Sequence, residues 1–215
     1  MSVRTIEELH DILSDDLAWR KKELSALKSL IGRSEFGQTK RNALIRSGVA
    51  ILYAHWEGFV RNAARSYLEY VARMRLEYRA LSGNFVGLAV RGLLNDATGS
   101  KKAALHNRIV DFFRNEVESR SKLPYRSAVA RVGNLTSHRL ENISLMLGLD
   151  YSIFRTKEKF IDERLVRNRN MIAHGHYLLI DTADYDEMHE VVLALLNTFR
   201  NEVANAATLE RFRAA

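Results

Sequence analysis

The chain has no cysteine and a single proline, Pro124, among its 215 residues. Without cysteine there are no disulfide staples, thiol nucleophiles or thiolate metal sites. That composition suits a reducing compartment, and a cytoplasmic location is the expectation. With one proline, the commonest interrupter of helices is almost missing, so long helices are expected. Long apolar runs are missing too. The longest, residues 48–54 and 191–196, fall far short of the roughly 20 residues that span a bilayer. The stretch from Met1 to Glu8 has no apolar signal core, so no membrane association is expected. Strand-type alternation, internal repeats, low-complexity tracts, phosphate-cradling glycine loops and nucleophile elbows are all lacking.

Hydrophobic residues make up 47% of the chain, which excludes general disorder. Lysine and arginine number 33 against 26 acidic residues, for a net charge of +7. That excess suits a polyanionic partner and suits a solvated basic surface equally well. The length predicts one domain over 1–215, with residues 82–150 as a helical insertion of unassigned role. Thr5 and Glu8 have capping-box spacing, so a first helix should run from there to Ile31 and stop at Gly32. A second covers about 39–81, where Ile45, Val49, Leu52, Trp56, Phe59, Ala63 and Tyr67 step by three and four along one face. Shorter helices are expected over 84–95, after Gly99-Ser100, and from Asn134 or Thr136 to Leu147. A helix over 157–173 should be closed by Gly175, followed by an extended connection at 177–180. The last helix carries the stripe Met188, Val191, Val192, Leu195, Leu196, Phe199 and Val203, and Asp184 with Glu187 resembles its cap. The predicted fold is an all-α helical bundle framed by the second, motif and final helices.

Chemistry concentrates in Arg167-Asn168-Arg169-Asn170-Met171-Ile172-Ala173-His174-Gly175. Arginine supplies a permanently charged, forked donor set suited to phosphate. Histidine exchanges protons near neutrality. Arginine followed by histidine after a few residues is weak evidence alone, since Arg4 with His10, Arg131 with His138 and Arg169 with His176 satisfy it too. What distinguishes this stretch is the whole string at a helix end. On an ideal wheel of about 100° per residue, Arg167, Asn170 and His174 lie nearly together, with Arg169 about 140° from His174. Either Arg169 reaches around the helix or to a partner chain, or Arg167 is the catalytic arginine.

The string resembles the signature of the HEPN superfamily, all-α domains found in prokaryotic toxins, antiviral defence and RNA processing. A second segment, from Arg46 to Val60, is similar to the apolar stretch ending in Glu-Gly-Phe of one HEPN subgroup, the RiboL-PSP-HEPN or MAE type; here it contains Glu57-Gly58-Phe59. The resemblance implies a metal-independent endoribonuclease in a toxin–antitoxin or phage-defence setting. By position, Arg169, Asn170 and His174 are the implied catalytic residues, with Arg167 and His176 binding RNA or substituting. It further implies a homodimer that pools two motif helices, RNA as substrate, and an antitoxin or defence protein as partner. No cofactor or metal is expected. HEPN toxins controlled by a nucleotidyltransferase carry a modified tyrosine two residues after the histidine; here that position is His176, with Tyr177 one later.

Other residues have plainer readings. A helix end favours cationic side chains electrostatically, so Arg169 and His174 could be structural. Glu57 interrupts an apolar face and needs a partner, for which a motif-helix arginine or asparagine is the natural candidate. Gly58 in mid-helix suggests close approach of another helix. Two further functional readings stay open: a non-catalytic HEPN-like module binding RNA, nucleotides or protein, and a regulatory subunit of a larger complex.

Overall fold

The computed structural model describes residues 3–33, 35–129 and 133–214. Met1, Ser2 and Arg131, named above for the N-terminal reading and an incidental Arg–His spacing, lie outside the described residues. Helix α1 spans Ile6–Ile31, α2 Gln38–Met74, α3 Gly83–Ala97, α4 Ala103–Asp111, α5 Ser137–Leu147, α6 Arg167–Ala173 and α7 Thr182–Thr208. Among the described residues there is no strand, only two isolated bridges, Glu77 with Arg120 and Leu81 with Arg213. The molecule is all-α.

Helices α1, α2 and α7 pack mutually and form the frame, and α6 lies against α2. At 37 residues, α2 is about 55 Å long. Its predicted stripe, including Val49, Leu52, Trp56, Phe59 and Tyr67, is wholly enclosed. Each such side chain contributes about 1.5–3 kcal/mol through burial. The stripe of α7 is buried likewise, except Val191, which is half-buried. Trp56 meets Phe199 of α7 edge to face at 6.3 Å. Gly48 lets the same two helices come close, because a Cβ there would lie 2.6 Å from Cε2 of Tyr185.

Several helix ends follow the sequence. The Thr5 hydroxyl accepts from the Glu8 amide at 3.2 Å while the Glu8 carboxylate accepts from the Thr5 amide at 3.2 Å, completing the capping box. Thr136, not Asn134, caps α5, and Gly148 closes it in the left-handed region at φ 69°.

Several expectations are corrected, and in the frame α1 takes the place expected for the motif helix, which is only seven residues long. Helix α2 stops at Met74 instead of running to Leu81, because Arg75 turns left-handed at φ 50°. Beyond it the chain pairs with a distant segment, with the Ser121 amide donating to the Leu76 carbonyl at 2.8 Å and the Arg79 amide to that of Val117 at 2.9 Å. The helix before Gly175 is not uniform: Tyr151–Lys157 is a 3-10 stretch and Phe160–Val166 a wide π-type turn leading into α6. The α7 cap is Asp181, whose carboxylate accepts from the Asp184 amide at 2.7 Å. Asp184 and Glu187 instead bind Arg164 at 2.8 and 2.6 Å, tying the motif segment to α7.

Gly58 admits a side chain and not a helix backbone. The Arg20 guanidinium of α1 sits 3.0 Å from where its Cβ would be. Arg20 is itself held by Asp16 at 3.1 Å and by the His55 carbonyl at 3.2 Å.

Two histidines are buried in this frame. His189 of α7 is 3% exposed, neither ring nitrogen has a hydrogen-bond partner, and the Glu190 carboxylate stands 3.6 Å from Nδ1. Burial, reinforced by Lys28, pulls its pKa below the ordinary value against the opposing pull of Glu190 and Asp186. Burial also lowers that of His55, against the opposing pull of Glu23. An unfolded chain protonates its histidines as pH falls through about 6.5, whereas the native state resists. This contribution to stability is therefore complete above that pH and is lost as pH falls towards the depressed native values. The urea midpoint should decline between about pH 7.5 and about pH 5. His189→Leu, which removes the unpaired ring nitrogens, should flatten that decline. A variant as acid-sensitive as the wild type would contradict this account.

Candidate functional site

The motif segment reaches α6 through the π-type turn, where the Arg167 amide donates to the Asp162 carbonyl five residues back. Asp162 also accepts from the amide and hydroxyl of Ser137 at 2.8 and 2.5 Å, fastening the turn to the start of α5. At the far end, Gly175 is left-handed at φ 75°. Its amide bonds the Ile172 carbonyl at 3.1 Å, and that of His176 bonds Met171 at 2.9 Å, a Schellman closure. Arg46 of α2 donates to the His176 carbonyl at 3.0 Å, pinning the chain just past the motif.

Within this frame the motif side chains divide between two faces. Arg167, Asn170, His174 and His176 line one open groove of about 400 Å³, with Asp162, Val166 and Met171. Arg167 is exposed, with no ion pair or side-chain hydrogen bond among the described residues. His174 is exposed as the cap residue of α6, and its imidazole likewise has no hydrogen-bond partner among them.

Arg169 faces the other way, towards α2. Its guanidinium lies 4.2 Å over the Tyr53 ring. Nη1 donates to Asn170 Oδ1 at 2.9 Å and Nη2 to Asn134 Oδ1 at 2.6 Å. Asn134 Nδ2 donates to the same Asn170 oxygen at 2.9 Å, closing a three-residue ring. Asn170 therefore links the two faces, its oxygen in the ring and its residue in the groove wall. The Tyr53 hydroxyl accepts from the Leu135 amide at 2.7 Å. Burial, with the Glu57 charge assisting, pushes its pKa up, so it stays protonated.

Glu57 finds the motif arginine only at arm's length, with 4.0 Å between its carboxylate and Arg169. Its closer partner is Arg61, one turn further along α2. Neither Asn134 nor Tyr53 was identified from the sequence as part of this site. Asn134 had a visible signal only as one of two alternatives for capping α5, and its contact with the motif spans 35 residues of chain. Among the described residues, no group of three or more His, Asp and Glu side chains is placed to hold a metal ion. No helix among them is long and apolar enough to cross a membrane.

A closed ring of three side chains predicts coupling. Asn134→Ala and Asn170→Ala should each destabilise the fold by about 1–2 kcal/mol in urea unfolding. The double variant should lose less than the sum, by about 0.5–1 kcal/mol. Strict additivity would mean that the ring is not formed in solution.

Compared with known proteins, the chain from residue 9 to residue 212 matches the family model described as HEPN_MAE_28990-like HEPN. No curated protein and no solved structure matches it. With nearly its whole length matched, the chain belongs to the HEPN superfamily, in the MAE-type subgroup.

Proposed function

We propose that this protein is a metal-independent endoribonuclease whose active site is completed by a second copy of the chain. The observation that carries this reading is the shared groove of Arg167, Asn170 and His174, backed by an arginine clamped from behind. Arg167 has a guanidinium free to fork onto a phosphate. Arg169 keeps both terminal nitrogens on asparagines, so in this reading it orients Asn170 and adds positive charge behind the groove. His174 exchanges the proton.

In the reaction, the RNA 2′-oxygen bonds to the adjacent phosphorus as one His174 takes its proton. The bond from phosphorus to the 5′-oxygen breaks as the partner's His174 supplies a proton to the leaving oxygen. The products are a 2′,3′-cyclic phosphate and a 5′-hydroxyl, and DNA is not a substrate. In an in-line displacement the attacking and leaving oxygens lie on opposite sides of the phosphorus, so two histidines, one on each side, serve base and acid in a single step. A twofold dimer supplies both. Tyr177 and Leu179, 78% and 62% exposed just beyond the motif, are apolar surface that such a partner would cover. The toxin–antitoxin or phage-defence setting, with a cognate antitoxin or defence protein as partner, is part of the proposal and rests on the family.

The second reading is a non-catalytic module that binds RNA, nucleotides or protein through the same groove. It is favoured by His174 having no side chain to orient it. Incubation of the purified protein with end-labelled RNA in excess EDTA separates the two. Cleavage should persist, leave a cyclic phosphate, and vanish in His174→Ala. Arg167→Ala should slow it by about 100-fold or more, and Arg169→Ala should slow it less. Wild-type cutting that EDTA abolishes, or that His174→Ala retains, would reject the mechanism. Salt-sensitive binding without any turnover would favour the second reading.

A further inference from the structure

A second basic site lies towards the other end of α2. Arg4, Arg73, Arg75, Lys122 and Tyr125 line a hollow of about 530 Å³, with Ser121 in its wall. Along the helix axis, Arg73 is about 24 Å from Glu57, at 1.5 Å per residue. The hollow is therefore separate from the motif groove. Its backbone is held where the exit from α2 pairs with the segment before Pro124, through Ser121 to Leu76 at 2.8 Å and Tyr78 to Ser119 at 3.2 Å.

The nearby carboxylates are taken up by other partners, Arg73 among them, and leave Arg75 and Lys122 uncovered. Glu69 binds Arg73 at 2.7 Å, Glu8 accepts from the backbone amide of Arg4 at 2.6 Å, and Glu77 is taken by Arg79 at 2.7 Å. Arg75 and Lys122 are exposed and have no ion pair among the described residues. Arg126 adds a further cation, over the ring of Tyr125 at 5.7 Å. Two arginines at a helix C-terminus could serve only to offset the helix dipole. Lys122 and Arg126 belong to another segment, so the dipole does not account for them.

Arg75 closes α2 in the left-handed region at φ 50°, which leaves its exposed side chain beside the hollow. Ser121 is 3% exposed, and its hydroxyl has no hydrogen-bond partner. An arginine fork and an ammonium facing one hollow match a phosphate dianion. The volume exceeds what a bare ion needs, and Tyr125 and Leu123 supply apolar wall for an attached organic group.

We propose that this hollow binds a small organic phosphate monoester, with Arg75 and Lys122 as its direct partners. The site does not depend on the ribonuclease reading, and its test needs no RNA cleavage. The full chain is titrated calorimetrically with phenyl phosphate and with inorganic phosphate at constant ionic strength. Phenyl phosphate should bind more tightly than inorganic phosphate. Arg75→Gly, which suits the left-handed backbone and preserves the fold, and Lys122→Met should each weaken phenyl phosphate about tenfold or more. Arg91→Met, elsewhere on the surface, should leave binding unchanged. Absence of phosphate binding, or equal losses in all three variants, would overturn the site. Equal affinity for the two probes would overturn the organic group. Binding of an RNA oligonucleotide here without phenyl phosphate would overturn the small-molecule assignment.

Discussion

Helix α2 carries apolar side chains around more than one face, so it leaves water only when it is enclosed. Helices α1 and α7 cover most of it, and α6 with the π-type turn covers part of what remains. That enclosure determines where the motif can sit. Tyr53 and Glu57 stand on the same helix as the deeply buried Leu52, Trp56 and Phe59, so the surface met by Arg169 is set by core packing. The motif segment is fastened at several points: Arg164 to α7, Asp162 to α5, and the His176 carbonyl to Arg46 of α2. A short α6 of seven residues would be marginal in isolation, and these attachments with its packing on α2 hold its register.

Much of the fold was legible because it is written locally. A capping box, a stepping stripe and a glycine after a helix act within a few residues, and Thr5, Trp56, Gly148 and Gly175 behave as their neighbours predict. The errors arise where a distant segment decides. Helix α2 has neither glycine nor proline at its end, and it stops because Leu76 and Arg79 pair with residues some forty positions later. Asp184 looked like a cap, but Asp181 had the better geometry and Arg164 claimed the Asp184 carboxylate. Asn134 was legible only as a candidate cap of α5, and its role at the motif exists only once the loop before α5 meets α6.

The division of the motif between two faces was legible too, as simple helix geometry. From Arg167 onward α6 is ordinary α-helix, so residues three and seven apart share a side while Arg169 points elsewhere. The wheel left open whether Arg169 would reach around to the groove. Tyr53, Asn134 and Asn170 occupy its guanidinium instead, and Glu57 lies just beyond. A string that matches a family signature thus contains one arginine held by the chain and another available to a ligand. The resemblance ranks Arg169 as the catalytic arginine and Arg167 as its substitute, whereas hydrogen bonding distinguishes them by which one the chain already holds.

The same distinction changes the meaning of the net charge. An excess of seven cations says little about partners while they remain a sum. Many of the basic residues are neutralised where they stand: Lys28 by Glu190, Arg73 by Glu69, Arg164 by two carboxylates of α7, and Arg213 by Glu210. Exposed pairs of this kind add little stability, but they remove charge from what a polyanion would encounter. Arg167 at the motif groove, and Arg75 with Lys122 beyond the end of α2, carry charge with no such partner among the described residues. Exposed residues such as Lys101, Lys102, Arg108 and Arg114 also have no ion pair among the described residues, so these two places are set apart by the concave surface beside the charge and not by the charge alone.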